Sequence, residues 1–96
     1  GDQFDAQTAS RWGLVNQVVA DEQLMATAQQ YALRIAANAP LAVQAAKELA
    51  LRSRDADLAT GLRMEQLFLR ILQDTQDIQE GADAFTEKRS PHFQGL

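Results

Sequence analysis

The chain has 96 residues, 46% hydrophobic and 23% charged, with a net charge of −4 and no cysteine. That length supports one domain at most. The charge excludes a nucleic-acid partner, because no basic stripe is present to neutralise phosphates, and the lack of cysteine removes disulfides, thiolate metal sites and a thiol nucleophile.

No apolar run approaches the roughly 18–20 residues of a membrane span, and GDQFDAQTAS has neither the basic nor the apolar part of a signal peptide. A cytoplasmic or organelle-matrix protein is therefore expected. Ala, Leu and Gln are abundant, proline occurs twice and β-branched residues are few outside one short run, so the expected fold class is all-α with about five helices.

Asp5 can cap a short first helix, with Phe4 where a hydrophobic staple would sit. Gly13 can close that helix in a left-handed conformation. Leu14–Val19 is the one β-favouring run, too short to form a sheet by itself. It is either an extended connector or a strand whose partner lies elsewhere. Asp21 then reads as the cap of a long helix, with Glu22 in its first turn and Leu24, Ala28, Tyr31, Ala32 and Ile35 on one apolar face. Asn38-Ala39-Pro40 ends it, and Pro40 suits the first position of the next helix.

That next helix has small residues to bury, Ala42, Ala45 and Ala46, together with Leu49, so close helix packing is expected. Asp55-Ala56-Asp57 provides a break and a cap for the next helix, over 58–73, which has the widest apolar arc. Leu58, Leu62, Phe68, Leu69 and Leu72 fall on one side of it, with Met64, Leu67 and Ile71 adjoining. This apolar arc spans roughly 220°, against the roughly 100° stripe of an ordinary surface helix. Such a helix needs more than one neighbour, and in so small a chain one of them is expected on other protein. Thr75 caps a last helix from Gln76 to about Arg89, with Ile78, Ala82 and Phe85 on one face. Gly81 inside it suggests close approach of another backbone. Ser90-Pro91 stops the helix and His92–Leu96 is a tail.

The catalytic inventory is thin. There is no phosphate loop, no metal-ligand spacing and no nucleophile elbow. His92 is a lone tail histidine with no partner in the sequence. Asp55, Asp57, Asp74 and Asp77 sit at helix boundaries, where capping accounts for them. Glu65 falls in the apolar arc, so it is either a general acid or base or the partner of an arginine such as Arg34 or Arg52; the pairing is favoured. Lys88 and Arg89 suit a helix C-terminus electrostatically, with recognition of an anionic ligand as the alternative.

Phe4-Asp5-Ala6 with Ala9, Trp12-Gly13-Leu14-Val15-Asn16 and Val18-Val19 resemble the segment after the catalytic core of enoyl-CoA hydratase/isomerase (crotonase) enzymes. Ile35-Ala36, Asn38 to Val43 and Lys47 are similar to that family's next helix junction. Glu65, Thr75, Asp77, Glu80-Gly81, Ala84-Phe85, Glu87-Lys88-Arg89, Pro91 and Phe93 resemble its C-terminal pattern. Order and spacing hold over essentially the whole chain.

The resemblance implies that residues 1–96 are the C-terminal helical domain of a crotonase-type protein, serving oligomer assembly and closure of the CoA site. The catalytic spiral domain would lie before it. Such proteins polarise an acyl-CoA thioester with two backbone N–H groups and use carboxylates to add water across a double bond or move it, as in fatty acid metabolism. The family needs no cofactor beyond the acyl-CoA substrate and forms trimers or dimers of trimers. No catalytic residue is expected in this stretch, and Glu65 matches none. Lys88 matches a position that can approach the CoA nucleotide, often that of a neighbouring subunit. An aromatic that lies near the adenine in some members falls at Leu69, which can pack on a base without stacking as a ring. A stand-alone helical interaction module, or a crotonase-like domain kept for binding, is the competing reading.

Overall fold

Helices begin where a side chain or a proline removes the cost of unpaired N–H groups. The computed structural model describes all residues 1–96 and contains five α-helices and no strand. Asp5 accepts from the Thr8 N–H at 2.7 Å and starts α1, Ala6–Arg11. Asp57 accepts from the Thr60 N–H at 2.7 Å and starts α4, Leu58–Gln73. Thr75 accepts from the Ile78 N–H and starts α5, Gln76–Glu87. Pro40 opens α3, Pro40–Arg52, where its missing N–H costs nothing.

The remaining start differs from expectation. Asp21 does not cap α2; it lies inside a 3₁₀ turn, Asp21–Gln23, which leads into α2, Leu24–Ala36. The Gln23 N–H bonds the Ala20 carbonyl, so the chain tightens by one residue before α-geometry begins. Asp21 and Glu22 lie in that 3₁₀ turn, and the first turn of α2 itself holds no acidic residue.

The chain divides into two units, Gly1–Ala32 and Leu33–Leu96, with the boundary inside α2. In the first, Gly13 at φ 74° ends α1. Its N–H bonds the Ser10 carbonyl while the Leu14 N–H reaches back to Ala9, the paired closure of a Schellman turn. Leu14 is thus committed to the helix end, and 14–19 is a bent connector that forms no strand. The Phe4 ring packs on Trp12, centroids 5.0 Å apart, and the Tyr31 hydroxyl donates to Gln17.

In the second unit, Asn38 donates its side-chain amide to the Arg34 and Ile35 carbonyls and finishes α2. Helix α3 packs against α4. Ala45 is buried and Ala42 and Leu49 are half-buried, but Ala46 is exposed, contrary to the small-residue face expected. Helix α4 has no buried residue: Leu58, Leu62, Leu67, Leu69 and Ile71 are all exposed, while Met64, Phe68 and Leu72 are half-buried. More apolar surface is presented than these residues cover.

Gly81 does not meet a backbone. A Cβ there would lie 3.6 Å from the Phe93 ring, an ordinary contact, and one at Gly61 would meet nothing within 4 Å. Gly61→Ala should therefore slow hydrogen exchange of the α4 amides about fourfold to fivefold, the helix-propensity difference alone. Unchanged or faster exchange would mean that other protein occupies that spot.

Candidate functional site

Helix α5 and the residues after it form the most densely hydrogen-bonded part of the chain, and two carboxylates on α5 organise it. Asp77, in the first turn, is 4% exposed. Its oxygens accept the Gln94 N–H at 2.7 Å and the Gly95 N–H at 2.8 Å. The Leu96 carbonyl in turn accepts the Gln76 and Asp77 N–H groups, which are unpaired donors of the helix start. Residues 92–96 are therefore not a loose tail: they fold back along α5 and are tied to its N-terminus.

One turn later, Glu80 takes both guanidinium arms of Arg89, at 2.6 and 2.8 Å, and the His92 N–H at 2.6 Å. Arg89 Nε also donates to Glu87 at 2.6 Å. The Arg89 fork and the His92 amide hold Glu80 down at about 2, against an ordinary 4.5. The same contacts, Glu80 first and Glu87 second, raise Arg89. Because the folded value of Glu80 is depressed, its contribution is complete above pH about 4.5 and is lost as pH falls towards 2. Acid titration should therefore loosen the docking of 89–92, read from the His92 backbone amide shift. A flat profile between pH 5 and 2 would refute the clamp.

Helix α5 ends at Glu87, two residues before the expected Arg89, which lies beyond the helix and pairs back to it. Lys88 occupies the turn in left-handed geometry, φ 55°. Its N–H bonds the Phe85 carbonyl and the Arg89 N–H bonds Ala84. This is the closure that ends α1, with lysine where α1 has Gly13. A side chain with a Cβ is disfavoured there by about 1–2 kcal/mol. Lys88 is exposed and joins none of the ion pairs, which are Arg52–Glu48, Arg89–Glu80 and Arg89–Glu87.

The α5 face of Ile78, Ala82 and Phe85 is exposed; Ala84 takes the buried position at 1% exposure, while Phe85 is 87% exposed. Leu69, half-exposed, lines an open apolar groove of about 450 Å³ with Leu41, Leu72, Ile78, Gly81 and Phe93. Lys88 is not among the groove residues, so the two candidates share a unit but no pocket. Glu65 is exposed on α4 rather than buried beside an arginine, and Arg52 pairs with Glu48. The apolar arc that suggested burial is only partly covered, by α3, and Glu65 lies outside the covered part. Local pattern explains Asp77 by capping and gives Glu80 no partner, because the groups that both carboxylates bind stand 9 to 18 residues away.

The arrangement offers an exposed ammonium on a fixed turn, an exposed ring three residues before it, and an apolar groove. No three His, Cys, Asp or Glu side chains gather as a metal site would require.

A family model described as "Enoyl-CoA hydratase/isomerase" matches residues 1–96. The chain is 42% identical over 95 residues to the (E)-benzylidenesuccinyl-CoA hydratase of Thauera aromatica, covering 99% of this chain and 37% of that protein. It is 38% identical to the 2,3-dehydroadipyl-CoA hydratase of Escherichia coli, again over 99% of this chain and 37% of that protein. Among solved structures, enoyl-CoA hydratase from Bacillus anthracis superposes with a TM-score of 0.91 at 42% identity, over 95% of this chain and 35% of that one. Enoyl-CoA hydratase from Mycobacterium tuberculosis superposes at 0.92 with 34% identity, over 100% and 38%. The chain thus spans little more than a third of the length of the relatives it matches.

Proposed function

The chain belongs to the enoyl-CoA hydratase/isomerase family, and from that premise we propose that it is the C-terminal helical domain of an enzyme that hydrates or isomerises an enoyl-CoA thioester. The observation that carries the reading is the match over all 96 residues to proteins in which they would form only about 37% of the length. The relatives named for a reaction act on CoA thioesters: benzylidenesuccinyl-CoA and 2,3-dehydroadipyl-CoA hydratases among them. Oxyanion donors and catalytic carboxylates belong, on this reading, to the spiral domain; these residues pack over it, assemble subunits and close the CoA site. Acyl-CoA is substrate, with no further cofactor. No helix is long and apolar enough to cross a membrane, in keeping with work in the cytoplasm or an organelle matrix.

Lys88 contacts the phosphates of the CoA nucleotide, its own subunit's or a neighbour's. An exposed ammonium with no competing carboxylate has its charge available for that contact. Leu69 gives the adenine an apolar surface, and the exposed Phe85 ring supplies the stacking face that leucine lacks. The uncovered faces of α2 and α4 meet the spiral domain and other subunits, giving a homo-oligomer such as a trimer.

Hydration of crotonyl-CoA, followed by loss of the enoyl thioester absorbance, tests the reading. The 96 residues alone should turn over nothing, while a protein of the family's full length carrying them should be active on an enoyl-CoA. Turnover by the 96 residues, or a full-length protein inert towards every enoyl-CoA tried, would overturn it.

A further inference from the structure

We infer that Glu80 and Arg89 are positioning residues for Lys88: their forked ion pair holds the turn after α5 in the left-handed form that directs the Lys88 ammonium, so they govern anion affinity without touching the anion. The inference rests on the reading of Lys88 as a CoA contact and adds how that contact is kept in place.

Two helices of this chain end with the same hydrogen-bond pattern. At the end of α1 the left-handed residue is Gly13, φ 74°, which adopts that geometry freely. At the end of α5 it is Lys88, φ 55°, which does not. Something outside Lys88 must hold it there, and the residues on either side are the ones that are tied. Arg89 reaches back to both Glu80 oxygens and, through Nε, to Glu87. Glu80 is itself fixed by the His92 N–H. Lys88 stands between Glu87 and Arg89, and its side chain takes part in neither pair. The turn closes α5 through the Lys88 N–H and returns the chain along the helix, and it also fixes the backbone from which the unpaired Lys88 side chain projects. The clamp also engages Glu87 and Glu80 with the Arg89 cation, while Asp83 accepts from the Gln79 amide. None of these carboxylates forms an ion pair with Lys88, whose ammonium is left to a ligand.

The test is a double-mutant cycle read as coenzyme A affinity by titration calorimetry on the native, assembled protein. Lys88→Ala should weaken binding about tenfold, as loss of one charge-assisted contact does. Glu80→Gln should weaken it about threefold or more, and Arg89→Lys, which keeps the charge but loses the fork, should do the same. The decisive result is non-additivity: Glu80→Gln combined with Lys88→Ala should bind no more weakly than Lys88→Ala alone. Additive losses would show Glu80 acting through general folding and would overturn the positioning role while leaving the Lys88 contact standing. An unchanged affinity in Lys88→Ala would overturn the contact and the positioning together. Far-UV circular dichroism checks that each variant is folded, and Arg89→Lys serves if Glu80→Gln is not.

Discussion

Asp77→Ala should detach residues 94–96 from the start of α5 and remove about 3 kcal/mol of local stability. The carboxylate is buried and takes two backbone N–H groups, from Gln94 and Gly95. Alanine would leave both donors without an acceptor in a site with little access for water. It would also remove a negative charge from the positive end of α5. The return path of the tail depends on this anchor. Gly95 lies in left-handed geometry, φ 76°, beside Pro40, a backbone form that side chains rarely adopt. Asp77→Asn should also destabilise, because one of its two acceptors becomes an amide facing an N–H. Hydrogen exchange of the Gln94 and Gly95 amides is the measurement: they should be protected in the parent and lose that protection in Asp77→Ala. Protection that survives the substitution would mean the tail is held by something else.

The second large effect concerns the 96-residue chain by itself, which should show no sharp cooperative heat absorption and should self-associate. Its buried residues are Ala9, Ala45, Ala84 and Asp77, and no larger apolar side chain is among them. Meanwhile Leu58 is 78% and Phe85 87% exposed. Full burial of a Leu or Phe side chain contributes about 1.5–3 kcal/mol, and no large apolar side chain here reaches it. The ordering entropy of the helices therefore has little to oppose it except local hydrogen bonds, caps and the clamp on α5. The exposed apolar stripes of α2 and α4 are larger than monomers in water tolerate, and they will find one another or other protein. Calorimetry, binding of a dye for apolar surface and sedimentation at micromolar concentration read the three consequences. A sharp transition from a monodisperse monomer without dye binding would contradict the argument.

The two predictions touch different levels of the molecule, and so did legibility in the sequence. Helix starts at Asp5, Pro40, Asp57 and Thr75, the stop at Asn38-Ala39-Pro40 and the left-handed Gly13 could be read residue by residue. Each depends on groups within about four positions. The same local rule overreached at Asp21, where a 3₁₀ turn begins one residue earlier, and at Leu14–Val19, where the closing of α1 uses the Leu14 N–H. Periodicity located the apolar face of α4, but it cannot say whether a face is covered. Glu65 looked buried for that reason and is exposed.

What the amino-acid sequence determined alone was the helical class, most helix boundaries, the family and the excess of apolar helix surface. The helical class, the boundaries and the apolar excess follow from short-range backbone hydrogen bonding and from residue spacing, whereas the family rests on a resemblance in the residues and their order. The tertiary structure decided that Asp77 and Glu80 belong to a clamp on the chain end, that Phe85 points outward, and that Lys88 sits in a glycine-like turn fixed by Arg89. Those outcomes require residues 9 to 18 positions apart to meet. Meetings of that kind depend on how the chain after α5 turns back, which no local propensity encodes.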